Sequence, residues 1–474
     1  MELNHSPFPK AIFRAYDIRG KLACFTPAVV RATAHALAKQ FKEAGQSELV
    51  IGYDARLSSP FYAQILTQVC REEGLSVTEI GCCSSPQMYY LARNYSGNGI
   101  MVTASHNPKT DNGIKWIIQG EPPCPDMIQS IASTAENYYQ PSISDSILTL
   151  PHQHKAEFCS LYQQAILKDI HLKQPLKVVL DALNGSAGEC AETILKKLGC
   201  EVIALRCKPD GNFPDHAPDP SQAVHLKQLQ ANVIEQQAHI GIALDGDGDR
   251  VVLVDEQANI ITADRLLSLF SQMCLENHPG HAVVFDVKCS SMVRNTVRNL
   301  GGHPHMIRTG SSFLRKYLSQ SGGYAVFGGE YAGHYVFNDG RGFGYDDGLY
   351  AALRVIEYMG HFLDKKLSEL LAVYPERFCT EDTYISTHQT NPKTVLEDIE
   401  ILSHRFGAQL SKIDGIRLDF KDGFGIIRAS NTGEYFTVRF DADDRLTLDK
   451  IRYKFVSMLS ERYPEIAQDI LDAQ

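Results

Sequence analysis

The 474-residue sequence contains no apolar run that approaches the length of about 18 residues needed by a membrane-spanning helix. Its twelve cysteines form no C-x-x-C pair and no zinc-binding spacing, and the adjacent Cys82 and Cys83 are poorly placed for an ordinary disulfide. Residues 1–7 lack the charged and then apolar build of a signal peptide. These absences predict a cytoplasmic protein with reduced thiols and no membrane partner.

An excess of basic residues is also missing. The net charge is -10 and the isoelectric point is near 5.9, which argues against nucleic acid or an anionic membrane as the main partner. An anionic ligand would therefore have to be held by local arginine and lysine side chains. The apolar fraction of 44% and the charged fraction of 22% are typical of a globular protein, and the length predicts three or four domains.

Apolar strand patterns alternate with helical patterns over most of the chain, which predicts α/β units around parallel or mixed sheets. The first pattern covers residues 49–118, the second starts at residue 176 and the third at about residue 263. From about residue 375 the pattern changes to that of a smaller α+β domain. A stretch near residues 141–147, rich in Ser and Asp, predicts a link out of the first domain.

One strand pattern ends in a run of small polar residues. Residues 99–108 run from an apolar strand into Thr-Ala-Ser-His-Asn-Pro, and the turn predicted by Asn-Pro would present the Ser105 hydroxyl from a rigid strand end. His106 is expected to point away from Ser105, because adjacent side chains of an extended strand alternate, and this argues against a hydrolase dyad. Residues 113–118 predict a further strand that carries Lys115 back to the same region. By itself the stretch could equally be an ordinary turn.

An acidic run stands between two apolar strand patterns, where residues 245–250 read Asp-Gly-Asp-Gly-Asp-Arg. Glycine allows the tight backbone that turns Asp245, Asp247 and Asp249 towards one hard cation, and without a cation these carboxylates would repel each other. A calcium EF-hand is disfavoured, because Arg250 stands where its loop needs glycine and because the flanking segments are strands. A phosphatase that uses Asp245 as the phosphoryl acceptor stays open at this point.

Two later loops carry groups that suit a sugar phosphate. Residues 428–433 read Arg-Ala-Ser-Asn-Thr-Gly, whose guanidinium, hydroxyl and amide groups fit a phosphate monoester. Residues 329–334 read Gly-Glu-Tyr-Ala-Gly-His, in which Glu330 and His334 could hydrogen-bond sugar hydroxyls. On composition alone, both stretches could also be polar loops without a ligand.

Together with residues 16–20 (Tyr-Asp-Ile-Arg-Gly), these stretches resemble the α-D-phosphohexomutase superfamily, and most closely its phosphomannomutase/phosphoglucomutase branch. The motifs follow the family's order across nearly the whole chain. The resemblance implies an α/β fold of four domains around a central cleft, with three similar α/β domains that have mixed sheets and a smaller α+β C-terminal domain. The implied boundaries are 1–150 for a phosphoserine domain, 151–256 for a metal-binding domain, 257–373 for a sugar-recognition domain and 374–474 for a phosphate-binding domain.

The resemblance also implies an intramolecular phosphotransferase that interconverts hexose 1-phosphates and hexose 6-phosphates. Ser105 would carry a phosphoryl group, and Mg²⁺ would be bound by Ser105, Asp245, Asp247 and Asp249. Transfer to a hexose phosphate would give a hexose 1,6-bisphosphate, which serves as intermediate and activator and returns its other phosphoryl group to Ser105. A phosphoserine carries about -1.5 to -2 charges, which a bound Mg²⁺ can neutralise during transfer.

The same resemblance implies further residue roles. Arg19 and Arg250 would offset charge at the transferring group, and Lys115 and His334 would exchange a proton with the sugar hydroxyl. The residues expected to contact the substrate are Tyr16, Lys288, Glu330, Ala332, His334, Arg428, Ser430, Asn431 and Thr432.

Two positions depart from the family pattern. Ala332 stands where a serine is usual, and Ser311 follows Gly310 where the branch often has histidine. The chemistry is unaffected, but the preferred sugar, whether mannose, glucose or glucosamine phosphate, stays open. The alternatives are a phosphoglucosamine mutase, a Mg²⁺-dependent sugar phosphatase and a non-catalytic sugar-phosphate-binding protein. A monomer or weak homodimer is expected.

Overall fold

In the computed structural model of the chain, the described residues are 8–141, 147–362, 364–430 and 433–473. Most of the predicted link at 141–147 and two predicted substrate contacts, Asn431 and Thr432, lie outside them. The chain divides into two compact units. The first is made of Met1–Thr262, Arg315–Gln320 and Ala332–Leu370, and the second of Ala263–Leu314, Ser321–Tyr331 and Leu371–Gln474.

The amino-terminal part of the first unit has helices around a five-stranded sheet. Its strands are β1 (Ile18–Lys21), β2 (Glu48–Tyr53), β3 (Ser76–Cys82), β4 (Gly99–Val102) and β5 (Asp111–Ile117). Its helices are α1 (Pro27–Glu43), α2 (Ser59–Glu72), α3 (Ser85–Tyr95) and α4 (Pro125–Tyr138). The strand order is β1-β5-β4-β2-β3, in which β2, β3 and β4 are parallel and β5 and β1 are antiparallel to their neighbours. Every residue of β4 is buried, as expected for a central strand covered on both faces.

Local sequence signals define where these helices start. Thr26 Oγ1 accepts a hydrogen bond from the backbone N–H of Val29 (3.4 Å), and Pro27 occupies the first turn of α1. Ser84 and Gln87 form a capping box at α3, in which each side chain accepts a hydrogen bond from the backbone N–H of the other residue. The start of α3 is therefore held by two reciprocal hydrogen bonds.

The following part of the first unit contains a four-stranded sheet. Its strands are β6 (Lys177–Asp181), β7 (Glu201–Leu205), β8 (Ile240–Leu244) and β9 (Val251–Asp255), and its helices are α5 (Ala156–Asp169), α6 (Gly188–Lys197) and α7 (Lys227–Glu235). In the order β7-β6-β8-β9, strand β6 is parallel to β7 and β8, whereas β9 is antiparallel to β8. Strand β8 is buried throughout and ends directly before the acidic run.

The third part of the chain begins in the second unit. Its strands are β10 (Ala282–Asp286), β11 (His303–Ile307), β12 (Ala325–Gly329) and β13 (Tyr335–Phe337). Its helices are α8 (Ala263–Leu275), α9 (Ser291–Asn299), α10 (Ser311–Gln320), α11 (Gly348–Met359) and α12 (Leu367–Leu371). Strand β10 lies between β11 and β12 and is parallel to both. Phe270 of α8 packs on Phe327 of β12, with ring centroids 5.4 Å apart.

The carboxyl-terminal part of the second unit is an antiparallel sheet with helices. Its strands are β14 (Phe378–Cys379), β15 (Thr383–Ser386), β16 (Gln409–Ser411), β17 (Ile416–Asp419), β18 (Gly423–Ala429) and β19 (Tyr435–Ala442), and its helices are α13 (Pro392–Ser403), α14 (Arg445–Leu459) and α15 (Pro464–Asp472). Strands β16 to β19 are successive neighbours, and both β14 and β15 pair with β19. Leu418, Phe436 and Phe455 belong to an apolar core that these strands and helices share.

The predicted alternation of strands and helices is present in the first three parts, and the predicted change to an α+β pattern is present in the last. Each described helix is too short or too polar to span a lipid bilayer. The domain boundaries inferred from the sequence stay predictions.

Substitution of Phe41 tests the core of the first sheet. Phe41 in α1 is fully buried, in the same apolar cluster as Trp116. Phe41→Ala is expected to lower the free energy of unfolding by about 3–5 kcal/mol, because it leaves a cavity. Trp116 is the single tryptophan, so its fluorescence during urea unfolding reports on this core. Lys39→Ala, at an exposed position of the same helix, is the control and should change stability by less than about 0.5 kcal/mol. Equal losses in both variants would contradict the assignment.

Candidate active site

Ser105 lies just beyond the end of β4, where the backbone turns sharply. Its φ is 52°, in the left-handed region, which costs roughly 1–3 kcal/mol for a residue other than glycine. The Ser105 backbone N–H donates to Thr103 Oγ1 at 2.8 Å, which helps to hold this conformation. The residue is only 1% exposed. The hydroxyl is therefore presented by a backbone that its neighbours hold in place.

The loop that contains Ser105 is held by the buried Arg56, which follows β2. The Arg56 guanidinium donates to four backbone carbonyl oxygens of this loop, those of Ser105 (2.7 Å), Asn107 (2.6 Å), Pro108 (2.6 Å) and Asp111 (3.1 Å). Asp54 orients Arg56 by accepting from its Nε at 3.1 Å, and it also accepts from Thr103 Oγ1 at 2.8 Å. Charge-assisted hydrogen bonds thus fix the backbone of the loop.

The acidic run lies directly against the Ser105 loop. A side chain at Gly246 has no room, because a Cβ there would lie 2.4 Å from the carbonyl oxygen of Ser105. Gly248 has a φ of 76°, and a Cβ there would lie 2.6 Å from the Cβ of Ala187. Glycine therefore permits both the close approach and the backbone turn that bring the acidic side chains to Ser105.

Asp245, Asp247 and Asp249 are each at most 1% exposed, and one ligand oxygen from each lies within 4.8 Å of the others. Burial and the neighbouring carboxylates raise the pKa of Asp245 well above its ordinary value. Burial also raises the pKa of Asp247, but the Lys115 ammonium outweighs burial and leaves this pKa below its ordinary value. Asp247 Oδ1 and Asp249 Oδ1 accept no hydrogen bond from the described residues. Buried, hard oxygen donors of this kind fit Mg²⁺.

The Ser105 hydroxyl donates to Asp245 Oδ2 at 2.6 Å. His106 Nδ1 lies 3.2 Å from the same hydroxyl oxygen, so the expectation that His106 points away from Ser105 is wrong. The left-handed backbone of Ser105 ends the strand alternation on which that expectation depends. Burial, together with Arg250 and other cations, holds the pKa of His106 well below its ordinary value. The imidazole is therefore neutral, and the single hydroxyl proton is directed at the carboxylate.

Lys115 reaches the acidic run from β5. It is paired with Met101 across β4 and β5, and its Nζ donates to Asp247 Oδ2 at 2.7 Å and to Asp249 Oδ2 at 2.6 Å. Burial lowers the pKa of Lys115, but these two carboxylates outweigh burial and leave the pKa well above its ordinary value. Lys115 is therefore a stable cation beside the acidic run.

Arg250, at the end of the acidic run, contacts His334. Arg250 Nε donates to His334 Nε2 at 2.9 Å, which requires that Nε2 carry no proton. His334 Nδ1 lies 2.7 Å from Asp346 Oδ2 and 3.7 Å from Asp249 Oδ1. Burial lowers the pKa of His334, but the two carboxylates outweigh burial and raise it overall. His334 therefore has one nitrogen that can accept a proton and one that faces carboxylates.

Comparison with known proteins identifies the family. The family model described as phosphoglucomutase/phosphomannomutase, alpha/beta/alpha domain I, matches residues 10–142, and those of domains II and III match residues 159–258 and 262–378. The chain belongs to the phosphoglucomutase/phosphomannomutase family.

Relatives of similar length support this assignment. A phosphomannomutase/phosphoglucomutase of Pseudomonas putida is 36% identical over 468 residues, which cover 97% of each protein. A phosphoglucomutase of Neisseria gonorrhoeae is 35% identical over 455 residues, which cover 94% of this chain and 96% of the relative. The crystal structure of a phosphoglucomutase/phosphomannomutase family protein from Burkholderia thailandensis has a TM-score of 0.87 and 34% identity, over 96% of this chain and 98% of that chain.

The family assignment confirms the resemblance seen in the sequence, the predicted fold class and the prediction of an isomerase that acts as a phosphotransferase. The arrangement of the domains about a cleft and the roles of individual residues stay predictions.

Three other predicted residues of this phosphohexomutase lie in the first unit. Arg19 is buried, with its Nη2 2.6 Å from Asp17 Oδ2, and its Nη1 donates to Asn107 Oδ1 at 3.2 Å, so it contacts the Ser105 loop. Tyr16 is 42% exposed and available to a ligand. Ala332 is half-buried and offers only a methyl group.

Two predicted sugar contacts of the second unit, Lys288 and Glu330, have polar partners in the structure. Lys288 Nζ lies 2.5 Å from Asp382 Oδ2; burial lowers its pKa, but Asp382 outweighs burial and raises the pKa overall. Glu330 Oε1 accepts a hydrogen bond from the backbone N–H of Gly310 at 2.5 Å. Both side chains are thus oriented by neighbours within their own unit.

The predicted phosphate loop also lies in the second unit. Arg428 Nη2 lies 2.8 Å from Asp414 Oδ2, and the Ser430 hydroxyl accepts from the backbone N–H of Gly433 at 3.1 Å. Asn431 and Thr432 lie outside the described residues.

Sequence reasoning missed several groups at the site. Asp54 and Arg56 hold the Ser105 loop, Asp346 faces His334, and Ser85 Oγ donates to Asp247 Oδ2 at 2.5 Å. Asp54 and Ser85 follow β2 and β3 closely, at the same strand edge as Ser105. Polar residues at the carboxyl ends of parallel strands often line ligand sites, and a search by this rule would have found both. Nothing local marks Asp346, which precedes the N-cap of α11.

Arg56→Met is expected to loosen the Ser105 loop, because it removes the four hydrogen bonds to the loop carbonyls and leaves the buried Asp54 without its counter-ion. Loss of one partner of a buried charge pair typically costs about 3–5 kcal/mol, and misplacement of a reacting group can cost about 10²-fold in turnover. Urea unfolding and mutase turnover at saturating substrate measure the two effects. Arg71→Met is the matched control, since the exposed Arg71 contacts Val77 and Glu79 at the surface and should lose less than about 1 kcal/mol. Parent-like stability and turnover of Arg56→Met would contradict the role of the clamp.

Proposed function

We propose that this family member interconverts hexose 1-phosphates and hexose 6-phosphates, that mannose and glucose phosphates are its substrates, and that Ser105 carries the transferred phosphoryl group. The observation that carries the proposal is the buried Ser105 hydroxyl, hydrogen-bonded to Asp245 at the edge of three carboxylates. The names of the Pseudomonas and Neisseria relatives support the two sugars.

Oxygen ligands for a divalent cation lie beside Ser105, the proposed phosphoryl carrier. Asp245, Asp247, Asp249 and Ser105 would hold Mg²⁺, since their oxygens are buried and two of the carboxylate oxygens accept no hydrogen bond from described residues. When bound, the cation would neutralise phosphoryl charge and polarise the bond to phosphorus. Arg19 would add positive charge on the side of the Ser105 loop.

In the first half-reaction, a hydroxyl oxygen of the substrate bonds to phosphorus while the bond between phosphorus and Ser105 Oγ breaks. His334 would take the hydroxyl proton, because its Nε2 carries no proton beside Arg250. Lys115 keeps its proton between two carboxylates and would offset the charge that develops on the leaving Ser105 oxygen.

In the second half-reaction, the hexose 1,6-bisphosphate returns its other phosphoryl group to Ser105. The net reaction of the two steps moves a phosphoryl group between two positions of one sugar and consumes no water. The phosphate that does not react needs its own cationic contact, which Arg428 and Ser430 with Asn431 and Thr432 would provide, because a guanidinium can fork two phosphate oxygens. Lys288, Glu330 and Tyr16 would contact the rest of the substrate.

Ser105→Ala is expected to reduce turnover of glucose 1-phosphate and mannose 1-phosphate by at least about 10³-fold, because the phosphoryl carrier is lost. The assay contains Mg²⁺ and the 1,6-bisphosphate. Intact-mass analysis after incubation with the bisphosphate should show one added phosphoryl group in the parent and none in the variant. Ser133→Ala, which removes an exposed hydroxyl in α4, is the control and should keep both properties.

Three outcomes would contradict the proposal, two with these substrates and one when glucosamine 1-phosphate is also assayed. Near-full turnover by Ser105→Ala would mean that another group carries the phosphoryl. An acid-labile phosphoryl group in that variant, with release of inorganic phosphate, would instead indicate a phosphatase that uses Asp245. Faster turnover of glucosamine 1-phosphate than of the other two sugars by the parent would assign the protein to the phosphoglucosamine activity.

Arg428→Gln tests the grip on the phosphate that does not react. The loss of a charged hydrogen bond, worth about 1.5–3 kcal/mol, predicts a KM higher by about 10- to 100-fold for both sugars. Phosphorylation of Ser105 by the bisphosphate at saturation should persist, which separates this effect from damage to the carrier. Arg405→Gln, at an exposed position of the same part of the chain, should leave KM unchanged. An unchanged KM in Arg428→Gln would remove Arg428 from the substrate site.

A further inference from the structure

A cavity of about 170 Å³ in the first unit is lined by four cysteines, and the proposed reaction uses none of them. Cys82 and Cys83 come from the end of β3, Cys159 from α5 and Cys190 from the first turn of α6. Burial raises the pKa of the Cys82 and Cys83 thiols, which therefore stay protonated. The other two thiols have a different environment.

Cys159 of α5 and Cys190 of α6 form a thiol pair that shares one amide donor, between two helices that pack on each other. Gln163 Nε2 donates to Cys159 Sγ at 3.2 Å and to Cys190 Sγ at 3.9 Å, and Gln87 Nε2 donates to Cys190 Sγ at 3.6 Å. Lys197 Nζ donates to Gln163 Oε1 at 2.8 Å, which leaves the amide N–H groups of Gln163 directed at the sulfurs. Cys159 is half-buried at the cavity, whereas Cys190 is buried.

This environment favours a thiolate at Cys159. The neighbouring Cys190 thiol is the largest influence and lowers the pKa of Cys159 to about 7, against the opposing effect of burial and with help from Gln163 and Gln87. The same pairing and burial raise the pKa of Cys190. A reactive thiolate beside a protonated thiol is the arrangement of an attacking and a resolving cysteine.

The acidic run is connected to this pair through Gln87. The Gln87 side chain accepts from the backbone N–H of Ser84 at 2.9 Å while its amide donates to Cys190. The next residue, Ser85, donates from Oγ to Asp247 Oδ2 at 2.5 Å and from its backbone N–H to the Asp247 carbonyl oxygen at 2.8 Å. The Gln87 side chain therefore connects Cys190 to the capping box at the start of α3. The same helix start carries Ser85, which donates to the proposed metal ligand Asp247.

The start of α6 provides a second connection. A Cβ at Gly248 of the acidic run would lie 2.6 Å from the Cβ of Ala187 and 3.3 Å from the Cβ of Ser84. Ala187 is the N-cap residue of α6, and Cys190 follows in the first turn. A change at Cys190 thus lies within one helical turn of the residue that packs on the acidic run.

We infer that Cys159 and Cys190 are a reversible disulfide site that responds to hydroperoxides, and that its oxidation weakens binding of a divalent cation at the acidic run. The inference that this disulfide forms depends only on the two cysteines, whereas its effect on the affinity for a divalent cation rests on the proposed function.

The chemistry of the modification balances in two steps. The Cys159 thiolate attacks a peroxide oxygen, the O–O bond breaks, and protonation of the leaving oxygen gives water or an alcohol together with a sulfenic acid on Cys159. The Cys190 thiol then attacks the sulfenic sulfur, the S–S bond forms and a second molecule of water leaves. A small dithiol reverses the change by thiol–disulfide exchange.

Oxidation displaces the acceptor of the Gln87 hydrogen bond. A disulfide brings its two sulfurs to about 2 Å, so Cys190 Sγ moves towards Cys159 and the hydrogen bond from Gln87 Nε2, already 3.6 Å long, weakens. The capping box and the Ser85 contact to Asp247 then lose one of their supports. Removal of a residue that supports a metal ligand typically lowers metal affinity by about 10- to 100-fold.

The first experiment measures the modification itself. The purified full chain is treated with stoichiometric hydrogen peroxide, and peptide mapping without reduction is expected to show a Cys159–Cys190 cross-link that dithiothreitol removes. Cys159→Ser and Cys190→Ala should each lack the cross-link. Cys24→Ser, which removes an exposed thiol elsewhere in the first unit, should retain it. Absence of the cross-link in the parent at complete peroxide consumption would overturn the inference.

The second experiment measures cation binding by titration calorimetry with Mn²⁺ and Mg²⁺. The oxidised parent is expected to have a dissociation constant about 10-fold higher than the reduced parent, and dithiothreitol should restore the reduced value. In Cys159→Ser the dissociation constant of the cation should be the same before and after peroxide treatment. Gln87→Ala should bind the cations more weakly than the parent before oxidation. Its dissociation constant should change little after oxidation, because the substitution and the oxidation disrupt the same hydrogen-bond network and their effects do not add.

The outcomes separate this inference from the proposed function. A cross-link with unchanged cation affinity would overturn the coupling to the acidic run. Absence of cation binding by the reduced parent would contradict the proposed function, while the cross-link would still be tested by peptide mapping. A response to peroxide of equal size in Cys159→Ser would assign the effect to another residue and overturn the inference.

Discussion

The mutual repulsion of three buried carboxylates at the end of β8 is the constraint on which the rest of the site depends. Lys115 reaches two of them from β5, and Ser105 donates to a third from the loop after β4. Ser85 adds a donor from the start of α3, and the backbone N–H of Arg250 donates from the run itself. The donors that make this charge tolerable are also the groups that a phosphoryl transfer needs, because both tasks require cations and hydrogen-bond donors around negative oxygens.

A rigid backbone around Ser105 is the second condition for phosphoryl transfer. An in-line transfer demands that carrier and acceptor stay within a few tenths of an ångström of their geometry. The left-handed Ser105, the four carbonyl contacts of Arg56 and the absence of a side chain at Gly246 all restrict the same loop. The thiol pair Cys159 and Cys190 makes none of these contacts with the Ser105 loop, but it is connected to the acidic run through α3 and α6. A local chemical change there can therefore act on the site without a contact to the substrate.

The sequence predicted those parts of the fold and site that depend on contiguous residues. Alternating apolar and polar patterns predicted the strands and helices, and the spacing in residues 245–250 predicted that three carboxylates face one cation. The prediction for His106 was wrong because strand alternation fails at a left-handed residue, and no local pattern marks Ser105 as one. Arg56 and Asp346 were missed because each acts through a partner distant in the chain.

The sequence by itself therefore determined the element types, the family and the residues whose chemistry is unusual in their own short segment. Only the tertiary structure decided which of these segments meet. Strand pairing places Lys115 beside the acidic run, and helix packing places Cys159 and Cys190 against the same Gln163 amide. The physical reason is that hydrogen bonds and electrostatic interactions act over a few ångströms of space, whereas sequence patterns report only on neighbours along the chain.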